Sequence, residues 1–440
     1  MKRFLIGGLM LSVITPLWAT ESPIPRNIIF MIADGMGPAY LSAHRYAHAS
    51  NAQIPVEPTL LDTLWVGSAM TYPDDDTLVT DSAAAATALA SGIKTRNGMV
   101  GQNPDGERLT GLLAHAKAKG KAVGVVTTSQ INHATPASFL THHASRRAYQ
   151  PIADQIATAL TAGEVDILIG GGRQYFTEAQ HQQWQQQGIS LALDWPQLAQ
   201  LSQLPAVALL ADVALPFALD AQRTDRLGLM LDKALMLASA EPNGFVMMAE
   251  ASMIDWCGHA NDIACALAEM QDFAEAVAVA KAYVDAHPDT LLLITADHET
   301  GGLSLGSMGQ YQWRPAEVAK VSGTANTIAQ ALLASAEQAS QPISRRLLVQ
   351  AWHQWVDFEL STQQIEGIER RIQAQDSNAL SQYIARIVAA QSDTGWTSAG
   401  HTAVDVPVLA YGVGANRFAG MQNNTSLAVT LFELLGVQVQ

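Results

Sequence analysis

Six short apolar runs recur along the chain, and each has the length of a strand. They are almost unbroken and do not alternate with polar residues, which is typical of strands buried on both faces of a parallel sheet. The runs are residues 28–33, 122–126, 166–169, 245–248, 291–295 and 406–411. Helical patterns lie between them, and one begins after Asp262 with apolar residues recurring on a single face. This alternation predicts an α/β fold with a mainly parallel central sheet flanked by helices.

Polar residues of the kind that bind metals follow several of these runs. Asp34, Glu250, Asp297 and His298 are each placed just past the carboxyl end of a predicted strand. Ligands of open α/β sheets bind at that edge of the sheet. We therefore expect these four side chains to converge on one functional site.

Two segments look inserted into a single domain that we expect to span residues 20–440. The first lies near 177–225 and contains a glutamine-rich stretch at 180–187, which we interpret as a solvated helix. The second lies near 305–395 and is helical by pattern, with a capping box at Ser361–Gln364.

Three aromatic residues of the second segment are placed by the pattern on one helix. They are Trp352, Trp355 and Phe358. This is more aromatic surface than a solvated segment needs, so it indicates a cover over the mouth of the site or part of a homodimer interface. The alternative is that these side chains pack within the segment itself.

The first residues have the pattern of an export signal. Lys2 and Arg3 precede an apolar run from Phe4 to Trp18, and Ala19 is a small residue suited to cleavage after it. The alternative is a membrane anchor, which needs about 20 apolar residues, and this run is shorter. We expect residues 1–19 to be removed and the mature protein to have no membrane span and to be periplasmic or secreted.

The chain is strongly acidic. It has 25 Lys and Arg against 40 Asp and Glu, a net charge of −15, and loss of Lys2 and Arg3 with the signal would make the charge −17. Such a charge argues against a nucleic-acid partner or an anionic membrane. An anionic substrate would have to be captured by local cations or metal ions.

The chain has two cysteines, Cys257 and Cys265. An exported protein meets oxidising conditions, in which disulfides persist. On one continuous helix the two residues would lie roughly 12 Å apart, which is too far for a disulfide. A loop around Cys257 would close that gap, so the sequence leaves the pairing open.

One serine stands at the start of a strongly helix-forming stretch. Ser82 lies between Asp81 and the alanine-rich residues 83–90, which favour a helix. Free backbone N–H groups and the positive end of the helix dipole gather at such a position, which suits a nucleophile that carries phosphate. Taken alone, the stretch is explained as simply by Asp81 or Ser82 acting as an N-cap.

Two Asp–His pairs and one further histidine complete the candidate chemistry. Asp255 and His259 are four residues apart, a spacing that presents both to one metal ion when the segment is helical. Asp297 and His298 form a second pair, and His401 stands alone in a loop. Each signal is weak by itself, and a surface ion pair would explain the spacing of Asp255 and His259 equally well.

In combination the motifs are far more specific. In chain order they are Asp34–Gly37, Asp81–Ala84, His133–Ala137, Ser145–Arg146, Glu250–Asp255, His259, Thr295–His298 and Gly400–Thr402. This set resembles the alkaline phosphatase family, in the family's own order and over most of the chain apart from the two inserted segments. The resemblance implies a large mainly parallel sheet and the hydrolysis of phosphate monoesters.

The resemblance also implies two Zn²⁺ ions and one Mg²⁺ ion per chain. The implied ligands are Asp255, His259 and His401 for one zinc, Asp34, Asp297, His298 and Ser82 for the other, and Asp34, Thr135 and Glu250 for magnesium. Imidazole and carboxylate suit zinc, whereas hydroxyl and carboxylate suit magnesium.

The remaining implied roles concern the substrate. Ser82 would attack phosphorus and form a phosphoserine that water then hydrolyses, while Arg146 would hold two phosphate oxygens and Asp81 would orient Arg146. His133 stands where certain relatives have aspartate, and Trp256 where others have lysine or histidine, and we place both beside the substrate or behind the metal ligands. Without a cation at Trp256, phosphate would bind more weakly and leave faster.

Other functions share this metal-bound fold, including phosphodiesterases, sulfatases and phosphomutases. Serine as the nucleophile, together with Arg146 and the magnesium ligands, favours a monoesterase acting on small-molecule phosphate monoesters. We separately expect the protein to be a homodimer. A protein of a different class would bind metal or phosphate without turnover. Ser82 argues against it, because binding alone needs no nucleophile.

Overall fold

The computed structural model describes residues 24–49, 56–338 and 344–437. The strands in these ranges are β1 (Asn27–Ala33), β2 (Trp65–Met70), β3 (Ala122–Gln130), β4 (Ile167–Gly171), β5 (Ser190–Ala192), β6 (Ala206–Leu209), β7 (Phe245–Ala251), β8 (Thr290–Thr295), β9 (Glu299–Thr300), β10 (Ser304–Leu305), β11 (Thr394–Gly395), β12 (His401–Thr402), β13 (Val406–Gly412) and β14 (Gly420–Asn423). Ten of these described strands form one sheet in the order β14-β2-β13-β8-β1-β7-β3-β4-β6-β5. The other four form two short pairs, β9 with β12 and β10 with β11.

Helices flank the sheet. In chain order, the described α-helices are α1 (Pro38–His48), α2 (Leu60–Leu64), α3 (Ser82–Ser91), α4 (Leu112–Ala118), α5 (Ala134–Leu140), α6 (Tyr149–Thr161), α7 (Glu178–Gln186), α8 (Trp195–Gln200), α9 (Ala218–Ala221), α10 (Arg226–Ala238), α11 (Met253–His259), α12 (Ile263–Ala286), α13 (Pro315–Val318), α14 (Ala325–Gln338), α15 (Arg345–Trp352), α16 (Thr362–Gln373), α17 (Ser377–Gln391) and α18 (Asn424–Leu434). The predicted helix after Asp262 is α12, and the side chain of Asp262 caps its first turn.

Four neighbouring strands, β8, β1, β7 and β3, run parallel through the middle of the sheet. Every residue in them is buried. Burial on both faces explains why these strands are unbroken apolar runs and not alternating patterns. The strand β13 is antiparallel to both of its neighbours, β8 and β2. The predicted mainly parallel sheet flanked by helices is confirmed.

The segment at 177–225 contributes to the central sheet as well as to the surface. Its strands β5 and β6 pair with each other in parallel, and β6 also pairs with β4. The glutamine-rich stretch forms α7, and most of its glutamines are exposed. However, His181 and Trp184 on the same helix are buried. The helix is therefore solvated on one face and anchored to the core on the other.

The segment at 305–395 consists largely of α13 to α17, and the predicted capping box at Ser361–Gln364 starts α16. The placement of three aromatic residues on one helix is wrong, since α15 ends at Trp352 and both Trp355 and Phe358 follow it. Trp352 is fully buried and meets Phe358 edge to face at 5.7 Å between ring centroids. Trp352 and Phe358 therefore pack within the segment, whereas Trp355 is half-buried.

Cys257 and Cys265 form a disulfide with 5.5 Å between their Cα atoms. Cys257 lies in α11 and Cys265 in the first turn of α12. Between the two helices the chain turns at Asn261, which has a φ of 52°. This turn closes the gap that one continuous helix would leave.

A cluster of charged side chains is buried between α10 and α12. Nη2 of Arg226 donates to Glu269 at 2.6 Å and to Asp272 at 3.0 Å. Glu269 also accepts a hydrogen bond from the backbone N–H of Ala218 at 2.7 Å. Burial raises the pKa of Glu269 to about 7, although the Arg226 charge opposes the rise. Two carboxyl groups thus share one buried cation, which joins the helices at an electrostatic cost.

The predicted export signal, residues 1–19, lies outside the described residues. Among the helices that the structure describes, none combines the length and the apolar character needed to cross a bilayer. Export therefore stays a prediction.

Candidate active site

The candidate residues gather at the carboxyl edge of the four central strands. Asp34 directly follows β1, while Asp297 and His298 follow β8. Glu250 lies inside β7, one residue before its end, and not past the strand as the sequence indicated. His133 caps the start of α5, which follows β3. Because β8, β1, β7 and β3 are adjacent and parallel, side chains from remote parts of the chain meet there.

A first group of possible metal ligands consists of Asp255, His259 and His401, whose ligand atoms all lie within 4.8 Å of one another. Nε2 of His259 is 3.4 Å from Oδ2 of Asp255, and the two histidine Nε2 atoms are 3.1 Å apart. Nδ1 of His401 bonds to the carbonyl of Thr80 at 2.8 Å, and Nδ1 of His259 to that of Ala399 at 2.7 Å. These backbone bonds turn both Nε2 lone pairs toward Asp255.

A second group consists of Asp34, Asp297 and His298, all of them fully buried. Nε2 of His298 lies 3.4 Å from Oδ1 of Asp34 and 3.3 Å from Oδ2 of Asp297. Oγ of Ser82 lies 3.1 Å from the same nitrogen. The serine therefore lies directly beside this group.

A third group consists of Asp34, His133 and Glu250, again with ligand atoms within 4.8 Å of one another. Asp34 is shared with the second group, so the two adjoin. Oγ1 of Thr135 is buried nearby without a hydrogen-bond partner. The sequence placed His133 beside the substrate or behind the ligands, but the structure puts its imidazole among the atoms that could hold an ion.

The donor atoms of these groups suit bound cations. Buried atoms without a hydrogen-bond partner include both oxygens of Asp34, Oε1 of Glu250, Oδ2 of Asp297 and Nδ1 of His133. Burial raises the pKa of Asp297 to about 8 and, with the nearby charge of Asp297, lifts that of Asp34 well above its usual range. Burial likewise lowers the pKa of His133 to about 3, which keeps the imidazole neutral and able to act as a ligand. Carboxylates so close together are unfavourable unless cations compensate them.

Ser82 is the first residue of α3, and Asp81 is its N-cap. Oδ1 of Asp81 accepts a hydrogen bond from the backbone N–H of Ala84 at 2.9 Å. Every residue of α3 is buried, and its alanines allow close packing against α5 and α18. The N-cap interpretation is thus confirmed for Asp81, and Ser82 lies at the helix N-terminus beside the possible metal ligands.

Arg146 reaches the site from the loop before α6. Its Nη1 lies 3.1 Å from Oδ2 of Asp81, and the two side chains are each 22% exposed. The backbone N–H of Gly98 donates to the same Oδ2 at 3.0 Å, and the carbonyl of Gly98 accepts from the N–H of Arg146 at 2.8 Å. One carboxylate therefore connects the helix of the serine with the arginine. Arg147 is exposed.

Trp256 lies over the third group. Its ring meets His133 edge to face at 5.8 Å and Phe217 at 6.4 Å between centroids. Trp256 therefore forms an apolar wall at this end of the site.

Sequence reasoning missed several side chains that contact the ligand groups. Oγ1 of Thr300 donates to Oδ1 of Asp255. Oγ1 of Thr127 donates to Oε2 of Glu250 at 2.5 Å, and Thr127 also hydrogen-bonds Ser252. In the sequence, only its position close to the Thr295–His298 motif could have pointed to Thr300. No sequence feature distinguished Thr127 from the other residues of its strand.

Known proteins resemble the whole chain. Residues 25–437 match the family model described as alkaline phosphatase. Alkaline phosphatase 3 of Bacillus subtilis is 36% identical over 422 residues, which cover 94% of this chain and 90% of that protein. The repressible alkaline phosphatase of Saccharomyces cerevisiae is 32% identical over 433 residues, covering 88% of this chain and 76% of that one. The crystal structure of a cold-active alkaline phosphatase from the psychrophile Shewanella sp. is 40% identical, with a TM-score of 0.86 over 93% of this chain and 99% of that chain.

Proposed function

The chain belongs to the alkaline phosphatase family and is a phosphomonoester hydrolase, and from that premise we propose that it works through a phosphoserine formed on Ser82. The observation that carries this proposal is the position of Ser82 Oγ, 3.1 Å from Nε2 of His298 and at the N-terminus of α3. Ser82 is buried next to carboxylates whose oxygens include atoms without a hydrogen-bond partner, among them both oxygens of Asp34 and Oδ2 of Asp297.

We assign two Zn²⁺ and one Mg²⁺ to these groups. The residues that would hold them are Asp255, His259 and His401 for the first zinc, Asp34, Asp297 and His298 for the second, and Asp34, Thr135 and Glu250 for magnesium, with His133 alongside. Members of the family are metal-dependent, and the carboxylate, imidazole and hydroxyl donors suit these ions. When bound, the ions would supply Lewis-acid stabilisation of charge on the attacking and leaving oxygens.

The protein's own residues position the reacting atoms. Ser82 Oγ forms a bond to phosphorus as the bond to the alcohol oxygen breaks, and the alcohol leaves toward solvent with a proton. A water molecule then attacks the phosphoserine, which releases inorganic phosphate and restores Ser82. Arg146 holds two phosphate oxygens with its planar guanidinium group, and Asp81 keeps that group beside the serine.

Substitution of the nucleophile tests this proposal. Ser82→Ala should keep the fold and the metal content but lose most of the turnover of p-nitrophenyl phosphate. The matched control is Ser91→Ala at the other end of α3, because Ser91 is also buried. Its Oγ donates to the carbonyl of Thr87 at 2.7 Å and accepts from the N–H of Ile93, and neither partner belongs to the ligand groups. Mass spectrometry of the acid-quenched wild type should find phosphate on Ser82. Near-full activity of Ser82→Ala would exclude the phosphoserine route.

A panel of mono- and diesters separates the related activities. We expect aryl and alkyl monoesters to be hydrolysed and diesters to be poor substrates, because Arg146 is placed to hold two unesterified oxygens. Preference for a diester would contradict this assignment.

We also propose export and dimerisation. The Cys257–Cys265 disulfide is the kind of bond that persists in the periplasm or outside the cell. Exposed apolar side chains lie on the paired strands β2 and β14 at the edge of the sheet, namely Trp65, Met70 and Met421. N-terminal sequencing of exported protein should begin at Thr20, and light scattering should give the mass of a dimer. A monomer would exclude the second proposal.

A further inference from the structure

A buried carboxylate stands next to the ligand groups without belonging to any of them. Glu299 directly follows His298 and is 3% exposed. None of the three groups found among the described residues includes Glu299. A buried carboxylate is unfavourable unless it has hydrogen-bond partners, so its own partners indicate what it does.

The Glu299 carboxylate accepts three hydrogen bonds from two separate segments. Oε1 accepts from the backbone N–H of Leu303 at 3.2 Å, and Oε2 accepts from that of Gly302 at 3.2 Å. Oε2 also accepts from Oγ1 of Thr402. The first two donors lie in the loop after β9, whereas Thr402 lies in β12, next to His401. One side chain thus joins the loop to the strand that carries a proposed zinc ligand.

The strand pairing around His401 is too short to be rigid by itself. The strands β9 and β12 have two residues each and pair only through His401 with Thr300 and through Thr402 with Glu299. Even a longer isolated strand pair is marginally stable in water. The charge-assisted hydrogen bond from Thr402 to the Glu299 carboxylate adds a side-chain contact between the same two residues that form the last backbone pair.

The turn after Asp34 is packed directly on the same side chain. A Cβ atom at Gly37 would lie 2.1 Å from Cγ of Glu299 and 3.0 Å from its Cβ. Gly37 has a φ of −77° and a ψ of 171°, which any residue can adopt, so the glycine is required for space and not for its backbone conformation. Three residues with no role in the proposed chemistry therefore meet at one point, namely Gly37, Glu299 and Thr402.

We propose that Glu299 is a positioning residue for the zinc ligands: it holds β9 and β12 together so that His298 and His401 face their ions. This inference rests on the proposed function, because it takes His401 as a ligand of the first zinc and His298 as a ligand of the second. We call the hydrogen bonds of Glu299 to Thr402 and to the loop after β9 the brace. Loss of the brace would leave Nδ1 of His401 bonded to the carbonyl of Thr80 but would allow the strand β12 to move.

The test measures zinc retention by the holoenzyme without substrate. Removing a residue that orients a metal ligand usually weakens metal affinity about 10- to 100-fold, and we expect this loss to appear as faster dissociation. Glu299→Ala and Thr402→Val should therefore release zinc to a chromogenic chelator about 10- to 100-fold faster than the wild type. Thr402→Ser keeps the hydroxyl and should restore slow release. Glu317→Gln is the control, since Glu317 bonds to Lys320 and Gln391 on the helical segment and contacts no proposed ligand.

A failure of the Glu299 proposal can be distinguished from a failure of the proposed phosphoserine mechanism. Wild-type zinc release by both Glu299→Ala and Thr402→Val would overturn the brace, whatever the activity of the enzyme. If Glu299→Ala does not fold, the Thr402→Val and Thr402→Ser pair decides, because valine and threonine have nearly the same shape. A failure of the phosphoserine test with normal zinc loading would instead overturn the proposed function.

Discussion

Removing the guanidinium group of Arg146 should weaken catalysis without disturbing the fold. In Arg146→Ala, Asp81 keeps its hydrogen bonds from the N–H groups of Ala84 and Gly98, so α3 keeps its N-cap. The lost ion pair is partly exposed, with both side chains at 22%, so its contribution to the free energy of unfolding is within about 1 kcal/mol. The effect should therefore fall on substrate binding and turnover.

The magnitude follows from the bonds that the guanidinium makes. Of its donors, Nη1 is engaged with Asp81 at 3.1 Å, and within the described residues Asp81 is the only carboxylate at ion-pair distance from it. The remaining donors can face two oxygens of a phosphate. A hydrogen bond to a charged group contributes about 1.5–3 kcal/mol. We count one such bond in full, because in Arg146→Ala water would replace part of the other bond to the phosphate. Since 1.4 kcal/mol is a factor of ten, kcat/KM should fall by about 10- to 150-fold.

The assay is steady-state hydrolysis of p-nitrophenyl phosphate, with inorganic phosphate as a competitive inhibitor. Phosphate inhibition should weaken in parallel with kcat/KM, because the product binds the same guanidinium. Arg146→Lys should recover only part of the loss, since lysine supplies charge without a planar fork. Exposed Arg147 offers the control, and Arg147→Ala should behave as the wild type. Unchanged kcat/KM and unchanged phosphate inhibition in Arg146→Ala would refute the clamp.

Two further expectations concern the metal ions and the buried charges. Chelation should abolish activity, and zinc with magnesium should restore it. Elemental analysis of fully active enzyme showing less than one zinc per chain would contradict this. For Glu269, the folded-state pKa of about 7 exceeds the ordinary 4.5, so the folded protein binds more protons between these values. The free energy of unfolding should therefore fall as pH rises from about 4.5 to 7, by up to about 1.4 kcal/mol per unit. Glu269→Gln should flatten this slope in denaturant titrations, and identical slopes in the two proteins would disprove it.

The sequence predicted best where one physical cause dominated. Burial on both faces makes β1, β3, β7 and β8 unbroken apolar runs, and their parallel arrangement then brings Asp34, Glu250 and Asp297 to one edge. The strands β2 and β14 were not predicted, because they are not buried on both faces. In β2, most side chains from Trp65 to Met70 are partly or fully exposed, and β14 is short and polar, so neither has an apolar run.

Features that depend on contacts between remote residues could not be read from a local pattern. The spacing of Cys257 and Cys265 left the disulfide open, because the break between α11 and α12 depends on a left-handed turn at Asn261 that periodicity does not reveal. Likewise, the sequence pattern placed Trp352, Trp355 and Phe358 on one exposed helical face, whereas α15 ends at Trp352 and the fold buries that side chain. In the sequence, Glu299 is simply a polar residue that follows the Thr295–His298 motif, and only the structure shows its contact with Thr402.

The distance in sequence between the proposed metal ligands has a consequence for how long the protein persists. The proposed ligands of each ion come from parts of the chain far apart in sequence, 255 to 401 for the first zinc, 34 to 298 for the second and 34 to 250 for magnesium. The strands and loops that carry them must therefore be in place before an ion meets its full set of donors. Binding of the proposed ions would therefore be coupled to completion of the fold, and a chain that lacks zinc would be incompletely closed. Such chains would open more often, and proteases would remove them preferentially. Zinc supply would then set how much enzyme persists as well as how fast each molecule works.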